Sequence, residues 1–223
     1  MKKITFLLAF VAVAMFANAA DWVETFGPDD VAKNAEGYWP YVAGGAEQYV
    51  YVNYDHAADC TYDGYTASVR KVNASPTTEA IGNHVWLGAD KETTDSWVSI
   101  SGIAAAGAQY VSFDLAPNAM AYVPNMKLFI NGTEVAMPAL TLATTNVMQN
   151  VGDIAITPAD VYEIKIQNFD QTANTGLRID NITFKAATAI KNVTIDNSVY
   201  ATNGTVYAEG EFQIFSVAGQ NVT

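Results

Sequence analysis

An all-β fold, specifically an antiparallel β-sandwich of jelly-roll type, is what this sequence predicts, on three observations. Short runs rich in Val, Ile, Tyr, Phe and Thr recur between Gly, Pro, Asn and Asp punctuation from Asp21 to Phe184. Several of these runs alternate apolar with polar residues, as strands with one buried face do. No segment beyond residue 20 sustains the 3.6-residue apolar period of a helix. An immunoglobulin-like sandwich is the alternative, but the Cys-Trp-Cys spacing of that fold is missing.

Taken in order, residues 1–20 stand apart. Met1-Lys2-Lys3 is a positive start, Ile4 to Phe16 is an apolar run broken by Thr5, and Ala17-Asn18-Ala19 offers a small-x-small cleavage site. The run is too short to span a bilayer and Asp21 follows directly, so it predicts a signal peptide cut after Ala19 or Ala20, with no membrane span in the mature chain. Cleavage removes Lys2 and Lys3 but no acid, so the net charge of −12 becomes −14. A chain this acidic repels phosphate backbones and anionic lipid, which argues against nucleic-acid partners. About 200 residues then remain, enough for one sizeable domain and a small one.

In the predicted sandwich, residues 21–185, the strand-like runs are Gln48–Tyr54, Thr66–Val72, His84–Leu87, Ser96–Ser101, Ala108–Leu115, Met126–Asn131, Thr133–Met137 and Tyr162–Gln167. Asn131-Gly132 is a favoured hairpin turn between two of them. Asp29 to Ala35, with Pro28 ahead of it, suggests one helical turn. The last run, Gly176 to Phe184, carries a break in its alternation. Leu177 and Ile179 share one parity while Ile182 and Phe184 take the other, so one extra residue must sit at Asp180-Asn181 as a β-bulge. Residues 186–191 read as a linker. Residues 192–223 hold four strand-sized pieces, Val193–Ile195, Val199–Ala201, Thr205–Ala208 and Phe212–Val217, too few to close a core alone: a small, incomplete β-rich unit.

Two stretches could carry chemistry. A carboxylate at a bulge, where carbonyls turn out of the ladder, suits a cation. Glu24 begins the first strand and Asp180 lies in the last, and a jelly roll brings first and last strands close. Together with carbonyls they could hold one structural Ca²⁺, which takes six to eight oxygens. Alternatively, Glu24 is a solvated strand-edge residue and Asp180 binds bulge amides. Residues 38–65 hold eight aromatics, and flat rings beside Asp and Asn suit sugar rings. Some of these plug the core or a sandwich end; Tyr41, Tyr54, Tyr62 and Tyr65, nearest turn residues, form the set expected at the surface as ligand contacts.

Other candidates stay bland. Asp55, Asp59 and Asp63 repeat every four residues, which is not the spacing of an EF-hand loop. His56 and His84 are far apart without zinc spacing, and Cys60 is a single thiol with no disulfide partner. No nucleophile elbow, zinc-protease motif or phosphate loop occurs, and nothing singles out a carboxylate pair for glycoside hydrolysis.

Four stretches together resemble a secreted jelly-roll module of gliding and gut Gram-negative bacteria: Glu24-Thr25-Phe26-Gly27 with Tyr38-Trp39-Pro40-Tyr41; His84-Val85-Trp86-Leu87; Ile100-Ser101-Gly102-Ile103 with Ser112-Phe113-Asp114-Leu115; and Gly176 to Phe184. Such modules are similar in fold to carbohydrate-binding and adhesin jelly rolls. The resemblance implies a structural Ca²⁺ on the carboxylates matched by Glu24 and Asp180, although the order of Glu24 and Phe26 departs from the usual pattern. Phe212 to Val222 resembles the first half of a type IX secretion sorting domain, whose closing strands are not found before Thr223. The resemblance implies the type IX machinery as a partner and an extracellular or outer-surface address. The expected function is a non-catalytic binding module for glycan or another extracellular ligand. A structural or adhesion protein acting through protein contacts, and less so a glycan-active enzyme, are the alternatives.

Overall fold

The computed structural model describes residues 21–44, 48–72, 81–88, 95–117, 124–142, 147–169, 176–186, 199–202 and 205–208. Residues 1–20 of the expected signal peptide, residues 187–191 of the expected linker, Val193–Ile195 and Phe212–Val217 lie outside the described residues. Contacts divide the chain into Met1–Ala187 and Thr188–Thr223.

The first unit contains β1 (Trp22–Glu24), β2 (Thr61–Tyr65), β3 (Ala67–Val72), β4 (Ile81–Leu87), β5 (Ser96–Ile103), β6 (Ala108–Pro117), β7 (Met126–Ile130), β8 (Thr133–Val135), β9 (Gln149–Asn150), β10 (Ile154–Ala155), β11 (Tyr162–Asn168) and β12 (Leu177–Ala186). One sheet runs β10-β6-β12-β4-β3, with β1 also on β12 and β9 also on β6; the other runs β2-β5-β11-β7-β8. Every pair of these strands is antiparallel. From β4 to β7 the chain alternates sheets; β8 stays beside β7, β9 and β10 return to β6, and the chain closes with β11 between β5 and β7 and β12 between β4 and β6. That interleaving of early and late strands is jelly-roll topology.

The alternation of side chains builds the core. Val85, Leu87, Phe113, Leu115, Leu177 and Ile179 bury from the first sheet, and Val98, Ile100, Leu128, Ile130, Ile164 and Ile166 from the second. Each such burial stabilises by about 1.5–3 kcal/mol relative to exposure. The bulge falls where the parity break requires it. Asp180 pairs with Asp114 and Thr183 with Ser112, so three steps on β12 match two on β6. Asn181 takes φ 52°, a left-handed conformation that Asn tolerates. Leu177, Ile179, Ile182 and Phe184 are all buried as a result.

The local differences from the sequence reading have identifiable causes. Asp29–Ala35 forms no helical turn, because Asn83 pins the loop from β4. Its side-chain amide donates to the Phe26 and Pro28 carbonyls, and its Oδ1 accepts the Val31 N–H. Gln48–Tyr54 is not a ladder strand; Tyr41 and Val50 form an isolated parallel bridge there. Tyr51 and Tyr54 both turn inward to cover the sandwich, which a two-sided strand would prevent. β2, β9 and β10 are short strands without an apolar alternation of their own. In the second unit, β13 (Val199–Thr202) and β14 (Thr205–Ala208) pair antiparallel.

Candidate functional site

The end of the sandwich where β1 meets β12 gathers carboxylates. Glu24 pairs with Ile182, just past the bulge, and is fully buried. Phe26 and Gly27 take φ 58° and 85°, so the chain folds back after β1. A side chain at Gly27 would meet the Asn53 carbonyl at 1.9 Å. The fold-back aims the Phe26 N–H at Glu24 Oε1, 2.7 Å away. The Asp55 N–H adds a bond of 3.3 Å to the same oxygen, and the Tyr62 hydroxyl donates to Oε2. Burial pushes the Glu24 carboxyl up, while these donors pull the other way.

Asp180 is half-buried and pushed up to about 8, chiefly by burial. Asp114, Asp29 and Glu24 add to the effect through like charge, and the Asn181 N–H, 2.7 Å from Oδ1, opposes it. Asp114 itself accepts from Asn181 Nδ2 at 2.8 Å and from Asn150 Nδ2 at 2.7 Å, and Asp29 Oδ1 takes the Asn83 N–H at 2.8 Å.

The topology does bring Glu24 and Asp180 into one neighbourhood. It does not arrange them as a calcium cage. Both Glu24 oxygens already accept from protein donors, and no three acidic, histidine or cysteine side chains among the described residues could hold a metal together. A hard cation wants six or more oxygens, and to take the Glu24 oxygens it would have to displace the N–H and O–H donors they already accept. These residues fit acceptors that close turn and bulge amides.

The tyrosines divide by strand parity. Tyr54 is buried and its hydroxyl donates to the Val42 carbonyl at 3.1 Å. Tyr62 lies opposite Ile100 on the core side of β2 and stacks on Tyr54, centroids 3.7 Å apart and planes within 6°. The surface exposure expected of these two is therefore not found; they plug the sandwich end. Tyr41 and Tyr65 are exposed, at 41% and 45%. Cys60 is half-buried, with its thiol pushed up to about 11 by burial, so it remains protonated and poorly nucleophilic at neutral pH. His56 stacks on Trp22 at 4.5 Å, far from any ligand role with His84.

Tyr65 belongs to a second surface. It lies directly opposite Trp97, and Trp97 opposite Gln167, on the outer face of the five-stranded sheet. The neighbouring row on the same face is Asp63, Ser99, Lys165 and Phe129. Directly opposed residues stand about 5 Å apart at Cβ, so two aromatic side chains lie abreast with polar groups on the next row. Lys165 Nζ stands 4.4 Å from the Trp97 ring centre. Sequence reasoning missed Trp97. The strand alternation Trp97, Ser99, Ser101 against Val98 and Ile100 was the signal for its outward face.

No protein-family model and no curated protein matches the sequence. Among solved structures, the chain is similar to the cleaved adhesin domain K2 of Lys-gingipain, at 12% identity and TM-score 0.43, covering 74% of this chain and 99% of that one. It is also similar to a family 35 carbohydrate-binding module from Clostridium thermocellum, at 16% identity and TM-score 0.40, covering 56% and 92%. A family 36 carbohydrate-binding module in complex with calcium and xylotriose shares 19% identity at TM-score 0.35, covering 56% and 99%. The jelly-roll assignment rests on the strand order rather than on these likenesses.

Proposed function

We propose that the mature chain is a non-catalytic module, exported to the extracellular space or outer surface of a Gram-negative cell, that binds glycan on the outer face of its five-stranded sheet. The observation that carries this reading is the Tyr65–Trp97 pair, side by side on an open face with Asp63, Ser99, Lys165 and Gln167 beside it. Stacking surfaces and short-range hydrogen-bond groups on one plane are what a sugar chain needs. The export route rests on the signal-like residues 1–20 and on the sorting-like Phe212 to Val222, which would engage the type IX machinery.

Affinity gels loaded with neutral plant and cell-wall polysaccharides test the reading. Retention is expected for the wild type. Trp97→Ala and Tyr65→Ala should each weaken it by about 1–2 kcal/mol, roughly five- to thirtyfold in Kd. Equal retention of both variants, or self-association of the wild type with no sugar retention, would overturn it; the second result would favour adhesion through protein contacts.

A further inference from the structure

The outer face of the opposite sheet carries a feature of another kind. Arg70 on β3 lies opposite His84 on β4, and Arg178 on β12 lies opposite Trp86 on β4, so two arginines flank one strand. Each reaches diagonally across it. The Arg70 guanidinium stacks on the Trp86 ring, 3.6 Å from its centre, and its Nε donates to Ser68 Oγ at 2.8 Å. Arg178 Nη1 stands 2.7 Å from His84 Nε2. A guanidinium only donates, so His84 Nε2 must accept. The imidazole proton therefore sits on Nδ1, where it donates to the Gly82 carbonyl at 2.9 Å. Burial holds His84 at about 3, and it stays a neutral relay that orients Arg178.

Gly88 makes room for this arrangement, since a Cβ there would fall 1.7 Å from Trp86 Cη2. Trp86 Nε1 is buried and has no hydrogen-bond partner among the described residues. Tyr41, exposed and bridged to Ser68, borders the group. Burial and the Arg178 charge both press Arg70 down to about 10, and no carboxylate among the described residues pairs with it. In a chain of net charge −12, with 23 acids available, a half-buried Arg70 beside the Arg178 charge and without an acid among the described residues is costly as packing alone.

We propose that Arg70, stacked on Trp86 with Tyr41 at the rim and the buried Arg178 behind it, forms a second binding site that takes the carboxylate of a uronic acid residue in a glycan chain. The planar Arg70 fork matches a carboxylate. The acidic protein as a whole repels dense polyanions, so a sparse carboxylate on an otherwise neutral chain suits the site better than a sulfated or phosphodiester polymer. The site lies on the sheet opposite Trp97 and does not depend on the neutral-sugar face.

The test compares glucuronoxylan with the same polysaccharide after its carboxyls are reduced to alcohols, and with a sulfated glycosaminoglycan, by calorimetry on the full mature chain. Wild type should bind the native polymer about ten- to hundredfold tighter than the reduced one, the range of one charge-assisted pair. Arg70→Gln should abolish that preference. Arg70→Lys, which keeps the charge and the least disturbed fold, should lose most of it, whereas Trp97→Ala should keep it. Equal affinity for native and reduced polymer, an unchanged Arg70→Lys preference, or tighter binding of the sulfated chain would overturn the proposal. Neutral-chain binding lost in Trp97→Ala but with no carboxyl preference would leave the first site standing while removing this one.

Discussion

Asp180→Asn isolates the bulge carboxyl. In the folded chain Asp180 keeps its proton up to about pH 8, against an ordinary 3.8 when unfolded. Between those values the folded state holds the extra proton. The contribution to stability is therefore fully present below pH 4 and is lost as pH rises through 8. At about 1.4 kcal/mol per pH unit the ceiling is roughly 5–6 kcal/mol, and water access to a half-buried carboxyl lowers it to about 2–3 kcal/mol. Asparagine keeps the shape and the acceptor for the Asn181 N–H but cannot ionise. The variant should match wild type within about 0.5 kcal/mol at pH 4.5 and exceed it by about 2–3 kcal/mol at pH 8, near 4–10 °C in Tm for a chain of this size. Urea unfolding at pH 4.5, 6 and 8 with a chelator present measures it. Groups common to both proteins, Glu24 included, largely cancel in the difference. Parallel pH profiles, or a variant less stable at pH 8, would refute the reasoning.

Further expectations follow from the same end of the molecule and from the sheet faces. Tyr62→Phe keeps the stack on Tyr54 but removes a donor to a buried carboxylate, and should cost about 1.5–3 kcal/mol in denaturant unfolding. Because the Glu24 oxygens are occupied, millimolar Ca²⁺ should move Tm by less than about 1 °C, since ligand binding stabilises in proportion to occupancy; a rise of several degrees that Asp180→Asn abolishes would reinstate the cation site. Gly27→Ala sets a Cβ at 1.9 Å from the Asn53 carbonyl at a positive φ, and should cost more than about 3 kcal/mol by thermal melting. Gly88→Ala displaces the Trp86 ring, so its indole fluorescence should change together with the carboxylate preference at Arg70.

Much of the sandwich was legible because one-sided burial imposes a period of two. The bulge is the clearest instance: a parity change between Ile179 and Ile182 has no other resolution in a strand with one dry face. Tyr65 is exposed as expected of a residue beside turn residues. Tyr62, three residues earlier on the same strand, faces the core. Separating the two needed recognition of Thr61–Tyr65 as a strand, and its polar sequence hides that. Tyr54 was misplaced because Gln48–Tyr54 reads as a strand yet is held as a loop by its own tyrosine hydroxyls.

What the sequence determined by itself was the all-β class, the parity break at Asp180-Asn181, and the acidic character of the chain. Those are local or compositional properties, set by residue spacing and charge. Only the tertiary structure decided what Glu24 touches, that its oxygens are spent on Phe26, Asp55 and Tyr62, and that Arg70 and Arg178 meet across β4. Those partners lie 2 to 108 positions apart along the chain, and strand order, which no local pattern encodes, brings the distant ones together.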